Sequence, residues 1–165
     1  VVVVTFVFMA LESPLLHHLY LSFYAPDFSI IAVIYVAASL PTASGVFTAL
    51  AVGMVKDGFA LASPVGTYMF VCVVVFFGVR AVASRIRLRS LLSATLAAFV
   101  ASLAGSGVFL LVSLVFDRTF ADSGLVLRMM WLQALVTAPF APIMMAVLAK
   151  TDAFATRRRP GKLTY

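Results

Sequence analysis

Few side chains in this sequence could do chemistry, and Asp57 is the most informative of them. It lies in the stretch Gly53-Met-Val-Lys-Asp57-Gly58-Phe, within a chain that is 64% hydrophobic and only 11% charged. A carboxylate near membrane depth is costly unless it is paired or reaches water, so a chain this apolar has a reason to keep one. Such a group can cap or anchor backbone, pair with a cation, or take part in a ligand or proton site.

Two interpretations of Asp57 follow from its position. The first is a solvated or capping carboxylate at the outer end of a helix, paired with its neighbour Lys56. The second is a polar anchor that fixes the following loop, or part of a ligand or proton site. A proton relay needs further ionisable groups at bilayer depth, and the next two apolar stretches carry none in their middles. The relay is therefore the weakest of these interpretations.

The remaining candidates for catalysis or metal binding are weaker still. His17 and His18 are adjacent, whereas a helical metal site places its histidines four residues apart. Cys72 is the only cysteine, so an intrachain disulfide or a CxxC motif is excluded. Serines and threonines are plentiful, but no base with an orienting acid accompanies them. We predict no enzymatic activity, no cofactor and no metal site.

The composition indicates an integral membrane protein. A soluble domain is roughly 45–50% apolar and about 25% charged, and the mean hydropathy of this chain is +1.13. The net charge of +6 does not indicate nucleic acid as a partner, because the basic residues cluster at the ends of apolar runs, as membrane orientation rules require.

The apolar runs predict an all-α membrane protein with about six transmembrane helices. We expect a single helical bundle over residues 1–150 and a basic, disordered cytoplasmic tail over 151–165. Eleven apolar residues at the start rise only about 17 Å against the roughly 30 Å of a bilayer core, which predicts a truncated first helix and a missing N-terminal piece. The predicted segments are Val1–Leu11 (extending toward Tyr20), Phe28–Leu40, Ser44–Val55, Val65–Ser84, Leu91–Phe116 and Val126–Ala149.

The distribution of charge predicts the orientation. Nine of the twelve basic residues fall on one side of the six predicted segments, and five of the six acids fall on the other. The positive-inside rule then places both termini in the cytoplasm. The nine are Arg80, Arg85, Arg87, Arg89, Lys150, Arg157, Arg158, Arg159 and Lys162; Lys56, Arg118 and Arg128 lie on the outer side.

Two further features each leave an alternative open. Ala97, Ala101 and Gly105 recur every four residues in the fifth segment, and small residues on one face let helices approach closely. They either pack inside the bundle, which we favour, or offer a surface to a partner helix. The basic tail either serves only as an orientation signal, which we favour, or also binds anionic lipid headgroups.

The order of these motifs resembles the MreD family of bacterial rod shape-determining membrane proteins. The resemblance covers about Pro26 to Lys150, and it departs from the common form in two ways. The spacing from Asp57 to Gly66 is one residue longer, and Gly58 and Phe59 replace the usual aliphatic pair. The residues that carry the resemblance are Pro26-Asp27, Tyr35, Leu40-Pro41, Gly53-x-x-x-Asp57 and Ser63-Pro64-Val65-Gly66.

The resemblance implies a non-enzymatic scaffold of the cell-elongation machinery in the bacterial inner membrane. Its expected partner is an MreC-like protein with a single membrane helix, and the wider complex includes RodA, a class-B penicillin-binding protein and the actin-like MreB. Arg85, Arg87 and Arg89 are candidates for contact with the cytoplasmic components. The implied fold is similar to the S component of energy-coupling factor transporters.

That similarity also implies the competing function, a vitamin-binding S component. A ligand would then lie under the outer loops, near Asp57, Tyr24 and Trp131. Vitamin sites need several convergent polar groups around an apolar pocket. The outer half of the predicted bundle offers few polar groups, which favours the scaffold. These groups are Asp57, Thr67, Tyr68 and Gln133.

Overall fold

The computed structural model describes residues 1–18, 26–60, 66–83, 91–116 and 123–157, and this part of the chain is all-helical. The all-α prediction is confirmed. The elements, in chain order, are α1 (Val2–His18), α2 (Phe28–Ser39), α3 (Thr42–Phe59), α4 (Thr67–Ala83), α5 (Leu91–Phe116) and α6 (Ser123–Arg157).

Helix α2 is the centre of the bundle and packs against all five other helices. Eight of its twelve residues are buried, and they form an almost continuous run from Ser29 to Ala37. Twelve residues rise only about 18 Å, which is less than the roughly 30 Å of a bilayer core. Like every helix, α2 leaves backbone N–H groups at its start and carbonyl groups at its end without partners in the helix itself.

The carboxyl end of α2 obtains such a partner from α4. The guanidinium of Arg80 donates hydrogen bonds to the carbonyl oxygens of Ala37 at 3.1 Å and Leu40 at 2.7 Å. A cation at a helix carboxyl terminus also interacts favourably with the helix dipole. Arg80, predicted from sequence only as a topology signal, thus has a direct structural role.

Two helices are longer than their predicted segments. Helix α3 begins two residues earlier than predicted and ends at Phe59, so Lys56 and Asp57 belong to its last turn. Helix α6 continues to Arg157, seven residues into the predicted disordered tail. The extension is held to α2, because the Tyr35 hydroxyl donates a hydrogen bond to the Asp152 carboxylate at 3.0 Å.

The surface of α5 and α6 is the one expected of lipid-facing helices. Leu92–Val115 and Met130–Phe154 are long and apolar enough to cross a membrane, and only 28% and 33% of an 18-residue apolar stretch in each is buried. A core helix of a soluble protein would be mostly buried. The large apolar side chains of these helices point outward, among them Leu92, Leu96, Val100, Leu111, Leu135 and Ile143.

The small residues of α5 lie on the opposite, inward face. Ala101 and Gly105 are buried, and a Cβ at Gly105 would come within 2.9 Å of Ile30 Cδ1 on α2. Ala97 is only half-buried. Ala101 and Gly105 therefore pack within the bundle, and the alternative of a partner-binding surface does not hold for these two residues.

Candidate functional site

Asp57 joins the end of α3 to the beginning of α4. Its carboxylate accepts hydrogen bonds from three backbone N–H groups: Gly66 at 3.1 Å, Tyr68 at 3.0 Å and Met69 at 3.1 Å. The first backbone N–H groups of a helix have no partner within that helix. Asp57 satisfies those of α4 from a neighbouring helix, and its negative charge lies at the positive end of the α4 dipole.

Gly53 lies one turn before Asp57 on the same face of α3, and it makes this contact possible. A Cβ at position 53 would lie 2.5 Å from Met69 Cα and 2.8 Å from the Tyr68 carbonyl oxygen. Those atoms belong to the backbone and cannot move aside as a flexible side chain can. Glycine therefore lets α4 approach α3 closely enough for the Asp57 carboxylate to reach its amides.

Gly66 completes the arrangement at the turn into α4. Its φ of +96° lies in the region that side-chain-bearing residues rarely adopt. Its N–H is one of the three donors to Asp57. We call Gly53, Asp57 and Gly66 the α3–α4 clamp. Pro64, the fourth residue of the sequence motif, lies outside the described residues.

The clamp distinguishes between the interpretations of Asp57. The carboxylate anchors the backbone that follows α3, as the polar-anchor interpretation states. The predicted pairing of Asp57 with Lys56 is wrong, because the Lys56 ammonium forms its ion pair with Asp27. Adjacent residues on a helix point about 100° apart, so Lys56 and Asp57 face different neighbours.

Asp27 is the centre of a second polar cluster, at the amino end of α2. Its carboxylate accepts hydrogen bonds from the Ser29 hydroxyl and, at 3.4 Å, from the Ile30 N–H, and so caps α2. Its own N–H donates to Thr137 Oγ1 on α6 at 2.9 Å. Together with Lys56, these contacts connect α2, α3 and α6 at one level of the bundle.

The pair of Asp27 and Lys56 is largely shielded from solvent, with side-chain exposures of 5% and 18%. The Asp27 carboxylate is compensated by the Lys56 ammonium and by the hydrogen bonds from Ser29 and Ile30, as a buried charge requires.

Lys56 has a further partner on α4. Its ammonium lies 4.5 Å from the centroid of the Tyr68 ring, and that ring stacks on Phe109 of α5 at 5.2 Å. A cation over an aromatic face is attracted by the ring quadrupole, most strongly where water is excluded. The Lys56 charge is therefore compensated from two sides, by a carboxylate and by an aromatic ring.

The structure brings together only part of the predicted site. Gly53, Asp57 and Gly66 form the clamp, while Ala101 and Gly105 lie in the interior. Arg85, Arg87 and Arg89 lie outside the described residues. Within the described part of the chain, no group of three or more His, Cys, Asp or Glu residues is placed to hold a metal ion.

The clamp generates a prediction about Gly53. We expect Gly53→Ala to separate α3 from α4 and to lower the free energy of unfolding by about 1–3 kcal/mol, as overpacking does. The control is Gly58→Ala in the same helix, where a Cβ meets nothing within 4 Å. The melting temperatures of both variants are measured by thermal unfolding in detergent. Equal melting temperatures for the two would contradict the close approach.

The ion pair generates a second prediction, tested by a double-mutant cycle. Lys56→Met leaves a buried carboxylate unpaired, and Asp27→Asn keeps the α2 cap but leaves the ammonium unpaired. Each single change should cost about 3–5 kcal/mol of unfolding free energy. The double variant should recover most of that loss, because no unpaired charge remains. Additive costs in the double variant would show that the two groups do not interact.

Comparison with known proteins places the chain in a family. No curated protein and no solved structure matches it. One family model does match, over residues 1–151, and it is described as the rod shape-determining protein MreD. That match spans nearly the whole chain, including the α3–α4 clamp and both residues of the buried ion pair. The chain belongs to the MreD family.

Proposed function

We propose that this protein is a non-enzymatic scaffold of the rod-shape machinery in the bacterial inner membrane. Membership of the MreD family supports a role in rod shape determination. In the proposed topology six helices cross the membrane, with both termini in the cytoplasm. The start of α2, the end of α3 and the start of α4 meet around Lys56, which is consistent with helices that cross in alternating directions.

The observation that carries the proposal is how the polar groups of the bundle are used. Asp57 is bonded to the backbone of α4, and Asp27 and Lys56 are bonded to each other. These charges hold helices together and are not directed toward a ligand. Large apolar side chains lie on the outer surface of α5 from Leu92 to Val115 and of α6 from Trp131 to Ile143. A rigid bundle with an apolar surface suits a protein whose work is to hold other membrane proteins in place.

The partners follow from the same proposal. We expect the single membrane helix of an MreC-like protein to bind the surface of the bundle. RodA, a class-B penicillin-binding protein and MreB would join the assembly through or beside it. The loop between α4 and α5 carries Arg85, Arg87 and Arg89 and would meet the cytoplasmic components.

The competing function, a vitamin-binding S component, gains no support from the described residues. Two of the four polar groups in its expected site, Asp57 and Tyr68, are engaged with α4 and Lys56 respectively. Trp131 is 59% exposed on the outside of α6 and packs on Phe99. An aromatic residue on the outer surface cannot line an enclosed pocket, so we do not propose this function.

The scaffold generates a prediction about its cytoplasmic loop. Arg85→Glu, Arg87→Glu and Arg89→Glu combined should weaken co-purification of the MreC-like and cell-wall synthesis proteins, because the substitutions reverse the charge of the loop that is proposed to contact the cytoplasmic components. Membrane insertion should be unaffected. The control is Arg128→Glu, a charge reversal on the opposite side of the proposed membrane.

The measurement is purification of tagged protein from its host in mild detergent, followed by mass spectrometry of proteins and small molecules. Unchanged assembly in the triple variant would remove the loop from the interface. A bound vitamin together with an ATPase module, in place of the expected partners, would contradict the scaffold itself.

A further inference from the structure

The extension of α6 beyond the bundle places charge and an aromatic ring on one face. Lys150 and Phe154 are four residues apart, and Arg157 follows three residues later, so the three positions share a face of the helix. Lys150 is exposed, and Phe154 is 61% exposed. We call Lys150, Phe154 and Arg157 the inner basic face.

The opposite face of the same helix turn is fixed to the bundle. Asp152 follows Lys150 by two residues, which is about 200° around the helix. Its carboxylate accepts the hydrogen bond from Tyr35 on α2. The one acid of this segment is therefore turned toward α2, whereas helix positions 150 and 157 lie on the other side. The bond also fixes which side of α6 faces outward.

The inner basic face lies at the boundary of the apolar region. The apolar part of α6, Met130–Phe154, is 25 residues long, which is about 37 Å against the roughly 30 Å of a bilayer core. A segment of this length reaches beyond the bilayer core, and the proposed orientation places its carboxyl end at the cytoplasmic surface. Arg80 marks the same end of the bundle, where it caps α2.

We propose that the inner basic face binds the anionic headgroups of membrane phospholipids. Two cations flank an aromatic ring at the end of an apolar helix, and this arrangement complements a negatively charged bilayer surface in charge and in depth. The headgroup phosphates would contact Lys150 and Arg157, while the Phe154 ring would lie among the upper acyl carbons. The proposal uses only the orientation from the proposed function, and it stands whether or not the rod partners bind.

A tryptophan reporter at the inner basic face tests this directly. Trp131 is the only tryptophan, and its 59% exposure nearly equals the 61% of Phe154. A chain with Trp131→Phe and Phe154→Trp therefore carries one reporter of matched exposure at this face. The protein is reconstituted in phosphatidylcholine vesicles that contain brominated phosphatidylglycerol or brominated phosphatidylcholine, and quenching is compared.

We expect brominated phosphatidylglycerol to quench the tryptophan more strongly than brominated phosphatidylcholine does. Each cation should raise the local preference for phosphatidylglycerol over phosphatidylcholine by about fivefold at low salt. Lys150→Gln and Arg157→Gln should each reduce the preference, and the double variant should remove most of it. The control, Arg128→Gln, removes one charge from the opposite end of α6 and should leave the preference unchanged. Raising the salt concentration should lower the preference without any substitution, because exposed charges are screened.

Two results would overturn the proposal. Equal quenching by the two lipids would show that this face has no selectivity for anionic headgroups. A preference that survives in the double variant would place lipid binding elsewhere, for example on the basic residues after Arg157.

Discussion

The ends of α2 and α4 impose the constraint on which the rest of the structure depends. A helix in apolar surroundings leaves unpaired N–H groups at its start and unpaired carbonyls at its end, and no water is at hand to satisfy them. This bundle satisfies them with charged side chains from neighbouring helices. Asp57 bonds the start of α4, Asp27 caps the start of α2, and Arg80 bonds the end of α2.

Each of these bonds also fixes the position of a helix. Asp57 can reach the α4 amides only because Gly53 lets the two backbones approach, so a capping interaction becomes a specific contact between helices. Asp27 bonds Lys56 on α3 and Thr137 on α6, so α2 is held to both at its amino end. Because apolar packing between helices in lipid has no hydrophobic driving force, such polar contacts give a membrane bundle its specific arrangement.

Sequence alone predicted the helices best where they are long and apolar. Leu91–Phe116 has the bounds that the sequence indicates, because a sustained apolar run between charged loops has only one interpretation. The importance of Gly53, Asp57 and Gly66 was also evident, because a carboxylate and glycines at fixed spacing are conspicuous in apolar sequence.

The partners of the charges were not predictable in the same way. Lys56 follows Met54-Val55 and precedes Asp57, so local sequence suggested the neighbouring carboxylate, whereas the partner lies 29 residues away. Pairing at that distance depends on how α2 and α3 pack. The extension of α6 was missed for a related reason. In the sequence, Lys150 indicates the end of an apolar span. The hydrogen bond that holds the extended part of α6 comes from Tyr35, 117 residues before Asp152.

The central claim is that the Asp57 carboxylate satisfies the first backbone N–H groups of α4, and amide hydrogen exchange measures this directly. Exchange at Tyr68 and Met69 is compared between the unchanged protein and Asp57→Ala in detergent micelles, with the amides of Ala101 and Gly105 in α5 as the internal reference. An unsatisfied buried group costs about 1–3 kcal/mol, so exchange at the two α4 amides should accelerate by about tenfold or more, while the α5 amides stay unchanged. Unchanged exchange at Tyr68 and Met69 in the variant would contradict the account.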